Sequence, residues 1–130
     1  MSSPHHDARL WSRLTRAAQQ EAAAVLAALP RDIRDRLAKL RITYEPKPNA
    51  ALVASGIDAD RTLGLVTAVP SEDANEAPLR QPKLILFLEN ISEYVRSDGP
   101  EFRTQVRRTL LDEAHRWLGL DEDGADQGES

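Results

Sequence analysis

The side chains best placed to do chemistry in this 130-residue chain lie in one run, Asp112-Glu113-Ala114-His115-Arg116. Asp112 and Arg116 are opposite charges four residues apart, acid first, which is the favourable order for a pair on one helical face. Glu113 precedes Arg116 by three residues, so one guanidinium can tie both acids together. On a solvated face such a pair contributes a few tenths of a kcal/mol, and the residues would be ordinary surface charges. In a half-buried cleft, losing Arg116 would leave carboxylates crowded together and would cost more. His115 stands about 60° around a helix from Asp112 and about 160° from Glu113. An Asp112–His115 pair could hold an adventitious metal, but Glu113 would then face away from it. The simpler expectation is a solvated histidine. The other two histidines are His5 and His6, and there is no cysteine. Disulfides, cysteine zinc sites and thiol catalysis are thereby excluded.

Positioning these residues requires a helix. Phe102, Val106, Leu110 and Trp117 recur at helical spacing, so a helix is expected from about residue 101 to 118, with Pro100 in its first turn and Gly119 as its stop. Arg103, Arg107 and Arg108 form a basic strip expected to face solvent. Upstream, the pattern predicts helices over residues 7–29 and 32–40, a strand over 41–45, one or two helical turns at 50–55 stopped by Gly56, and a strand over 62–69. Gly64 inside that strand signals a bulge or a close backbone approach. Residues 71–82 read as a surface loop. Residues 83–88 are apolar throughout, as expected of a central strand buried on both faces. Asn90 is expected to cap a short helix reaching Val95. The flanks, residues 1–6 and 121–130, read as flexible tails, the second acidic, around one domain over 7–120. The class is α+β: a small mixed sheet packed on an N-terminal helix and a C-terminal motif helix.

The ordered set of motifs resembles the small zincin-like metallopeptidases, whose helix carries H-E-x-x-H-x-x-G followed by an acidic residue. The likeness covers roughly residues 25 to 123. It rests on Leu29-Pro30, on Tyr44-Glu45-Pro46-Lys47-Pro48-Asn49, on Leu63-Gly64-Leu65, on the run from Leu84 to Asn90, and on Phe102-Arg103 with Val106-Arg107 and Thr109 leading into the motif. The resemblance implies zinc-dependent peptide hydrolysis, with two histidines and a later acid as ligands and the intervening glutamate activating the metal-bound water. Aligned on Gly119, the glutamate position is Glu113, while the two histidine positions hold Asp112 and Arg116. The third-ligand position falls on or beside Glu122. Arginine offers no lone pair to a metal. The expectation is therefore a catalytically silent zincin-like protein with no cofactor, its cleft open to a peptide or a partner protein. The alternatives are a hydrolase using Asp112, Glu113 and Glu122 with Mg²⁺ or Mn²⁺, and a structural or assembly role.

Composition narrows the partners. Net charge is −4, and basic and acidic residues are interspersed from end to end. A nucleic-acid partner is not expected, nor is a membrane one, since no apolar run approaches about 20 residues. The absence of cysteine fits a cytoplasmic location.

Overall fold

The computed structural model describes residues 4–69 and 81–129, with side chains at 8–67 and 82–119. Among the described residues, five helices and three strands follow in the order α1 (Pro4–Ala28), α2 (Arg31–Leu37), β1 (Arg41–Glu45), α3 (Ala50–Ala54), β2 (Gly64–Val69), β3 (Gln81–Phe87), α4 (Leu88–Tyr94) and α5 (Gly99–Glu129). The architecture is α+β, with a three-stranded sheet in the order β1-β3-β2. β1 runs parallel to β3, with Thr43 opposite Ile85, and β2 runs antiparallel to it, with Gly64 opposite Leu86.

The apolar run of β3 takes the central position its sequence predicts. Leu84, Leu86 and Leu88 join the core cluster, while Ile85 and Phe87, on the opposite face by strand alternation, are buried as well. Pro82 lies inside β3 rather than in the preceding loop. The β1 pairing begins one residue later, at Lys83, so the missing N–H of Pro82 falls beyond the end of β1. Residues 70–80, most of the expected loop, lie outside the described residues.

α1 and α5 close one face of the sheet. Ala18, Ala22 and Val25 of α1 join Phe102, Val106, Leu110 and Ala114 of α5 in the core, with Trp11 and Trp117 packed at its margin. The arginine strip on α5 is only partly solvated. Arg103 and Arg107 both pair with Glu21 of α1, at 2.9 and 3.3 Å, and clamp the two helices together.

The caps explain most helix ends. Asn49 accepts from the Leu52 amide and starts α3, and Gly56 ends it with φ +105°, a conformation open chiefly to glycine. Asp98 accepts from the Glu101 amide and starts α5. Asn90 does not cap α4. It is buried within that helix, where its amide donates to the Ala59 and Thr62 carbonyls and its oxygen accepts from Lys47 Nζ at 2.8 Å. A side chain that braces one loop at two carbonyls and holds a lysine is unavailable to its own helix end. Gly119 does not stop α5, which continues to Glu129. A lone glycine costs a helix about 1 kcal/mol relative to alanine. It ends one only by turning left-handed, and Gly119 keeps helical backbone. Among the described residues no helix is long and apolar enough to cross a membrane.

Candidate functional site

Glu113 and its neighbours stand on α5 where that helix passes beneath β2 and β3. At 5% exposed, Glu113 is the one motif carboxylate that is buried, whereas Asp112, His115 and Arg116 are exposed. Burial pushes its carboxyl pKa up. The Arg116 charge pulls it down and the Asp112 charge pushes it up, and the net direction is upward. Arg116 Nη1 lies 3.5 Å from Glu113 Oε2, so the ion pair forms at three residues' spacing with Glu113. Among the described residues Asp112 makes no ion pair with Arg116, which corrects the four-residue pairing as the tie for both acids. The guanidinium turns to the buried acid because water already solvates Asp112.

Gly64 is the point of closest approach between sheet and helix. A Cβ built there would lie 2.7 Å from Thr109 Cγ2 and 3.2 Å from Glu113 Cγ. The strand glycine therefore admits the motif helix. Thr109 is also buried, and so is Gln105, whose Nε2 donates to Thr109 Oγ1 at 3.0 Å. Gln105, Thr109 and Glu113 recur every four residues and make one polar row on the sheet-facing side of α5. This row was not singled out from sequence. Its signal is the four-residue spacing, hidden because Thr and Gln look like ordinary surface residues. The Lys47–Asn90 contact escaped in the same way, as its partners are 43 residues apart.

The remaining expected site residues divide. Gly119 sits in mid-helix, clear of any packed neighbour. His115 is exposed and adds nothing to the Glu113 surroundings. The side chains of Glu122, His5 and His6 lie outside the described residues. No three His, Asp or Glu residues converge as a metal-holding group among the described residues. Two cavities among the described residues lie elsewhere. One is between α1 and the α4–α5 turn, and the other is a small apolar gap lined by Val25, Leu29, Leu84 and Leu110.

The family model for zincin-like metallopeptidases matches residues 37–129, which takes in every strand and the whole motif helix. No curated protein matches the chain. With the mixed sheet, the motif helix beneath it and the buried glutamate in place, the chain belongs to the zincin-like metallopeptidase family.

Proposed function

We propose that this chain is a catalytically silent zincin-like protein, one that keeps the scaffold and the motif glutamate and offers the motif face to a peptide or partner protein. The observation that carries the reading is the Glu113–Arg116 pair. In the family's arrangement the residue three after the glutamate supplies a lone pair to zinc. Here that position holds a guanidinium, which stays protonated and has no lone pair to give. Its fixed charge also repels a cation approaching Glu113. The donor set therefore does not fit zinc. The same charge weighs against an oxygen-rich Mg²⁺ or Mn²⁺ site built from Asp112, Glu113 and Glu122. Glu113, raised in pKa and tied to Arg116, serves in this reading as a packed structural group rather than as a base.

Support for a peptide partner comes from β2. Among the described strands it is paired on one side only, and it lies directly over the motif helix at Gly64. An unpaired strand edge can take up an extended peptide through main-chain hydrogen bonds.

The experiment is restoration of the motif. Asp112→His with Arg116→His rebuilds H-E-x-x-H around Glu113, and isothermal titration with zinc should give binding well below micromolar. Each single variant should bind far less, because ligands of one metal act as a unit. A double variant that binds no better than the parent would show that Asp112 and Arg116 do not occupy the ligand positions, and the reading would fall.

A further inference from the structure

One cavity among the described residues has no part in the motif. It is a groove of about 960 Å³ between the first half of α1 and the turn leading from α4 into α5. Helix geometry explains it. Glu21 of α1 meets Arg103 and Arg107, and Val25 and Leu29 share a gap with Leu110 and Ala114. The two helices therefore run parallel, and since Gln20 already meets Arg103, four residues into α5, the earlier residues of α1 reach back past the start of α5. Leu10, Leu14 and Ala17 on that overhang form an apolar floor with Phe102, and Leu10 is 42% exposed.

The rim is basic. Arg9, Arg13 and Arg16 recur at four- and three-residue spacing and all are exposed. None makes an ion pair among the described residues, and no described carboxylate lines the groove. Arg103 also reaches it but is committed to Glu21. A chain of net charge −4 thus gathers at one apolar groove three cations that no described carboxylate pairs. The opposite wall includes Ser97, which with Arg96 holds positive φ, 61° and 55°. The arginines and the apolar overhang all lie on α1, which precedes the family match at residue 37.

The complementary charge is in the same sequence. Asp121, Glu122, Asp123, Asp126 and Glu129 fall in the last turns of α5, with no cation among residues 121–130. Acids at a helix C-terminus oppose the macrodipole, so this end of α5 gains from a cationic partner. The groove stands at the other end of the same helix. From Phe102 to Asp121 is about 29 Å at 1.5 Å per residue, so a continuous α5 keeps its own acids away from its own groove. We propose that the groove receives the acidic end of α5 from a second copy of the chain, head to tail. Such a contact is heterologous, and it propagates unless the geometry closes it into a ring or a reciprocal pair.

The test is sedimentation velocity on the full chain across a concentration series, at about 10 mM and about 1 M salt, where the screening length falls from about 30 to about 3 Å. The expected result is concentration-dependent association at low salt, weakened about tenfold or more at high salt. Arg13→Glu with Arg16→Glu should abolish it, and so should Asp121→Lys with Asp123→Lys. Mixing the two charge-reversed proteins should restore association, because a lysine-bearing end then meets a glutamate-bearing groove. Arg13 and Arg16 are solvent-exposed, so their reversal should leave circular dichroism melting at high salt at the parent value, and lysines at the end of α5 should not lower it. A parent that remains monomeric at low salt overturns the proposal, as it would if the groove served an acidic partner protein instead. Association that survives either charge reversal, or a mixture that fails to associate, overturns it equally.

Discussion

Two sides of one helical turn behave differently. On the inner side of α5, Glu113 is buried beneath Gly64, in one row with Thr109 and Gln105. On the outer side, Asp112, His115 and Arg116 are exposed and pack against nothing in the core. The glutamate of the motif is thus held by the fold itself, since the sheet closes over it. Asp112 and Arg116, which the proposed reading puts at the family's ligand positions, are not. Their identities bear on a metal and hardly on packing, so exchanging them should leave the fold intact. A preserved glutamate in this motif is consequently weak testimony to activity, whereas the exposed positions carry the information.

Substitutions at four sites, one of them with a compensating partner, sharpen this contrast, from the largest expected effect to the smallest. Leu110→Ala, on the apolar side of the helix and 2% exposed, should cost about 2–5 kcal/mol in chemical denaturation, as buried leucines do. Gly64→Ala should cost about 1–3 kcal/mol, the usual range for overpacking. Its Cβ would press on Thr109 Cγ2 at 2.7 Å. Adding Thr109→Ser removes that methyl and should recover part of the loss, a coupling that a general weakening of β2 would not produce.

Glu113→Gln probes the raised pKa. A carboxyl whose folded pKa lies above its unfolded value favours the fold when protonated, and that contribution is lost as pH rises through the folded pKa. The glutamine variant should therefore melt higher than the parent near neutral pH. The difference should shrink as pH falls and vanish below the unfolded value of about 4.3. A parent that is instead the more stable at neutral pH would mean that the Arg116 pair outweighs burial. The smallest effect belongs to Arg116→Ala. The guanidinium is 69% exposed, so stability should shift by no more than about 1 kcal/mol. The Glu113 pKa should rise further, as read from carbon-detected NMR titration, because the charge that lowers it is gone.

Much of the scaffold was legible in sequence. The unbroken apolar run at Leu84–Leu88 announced a central strand, because only a strand covered on both faces can afford no polar side. The recurrence of Phe102, Val106, Leu110 and Trp117 announced the motif helix. Gly64 signalled a bulge or a close approach, and the structure shows the approach, of Thr109 and Glu113. What escaped depends on distant partners. Asn90 has the residue type of a cap, yet it is claimed by Lys47 and by two carbonyls about 30 residues upstream. Gly119 has the residue type of a stop, yet a stop requires a left-handed backbone that glycine permits and does not impose. Spacing alone allowed Arg116 either acid, and burial of Glu113 decided between them.

Zinc titration of the untagged parent protein tests the central claim most directly. With a guanidinium 3.5 Å from the motif glutamate, isothermal titration should show no stoichiometric zinc binding at micromolar protein. One equivalent bound with submicromolar affinity would contradict it, and would mean that Asp112, Glu113 and their neighbours still form a metal site around Arg116.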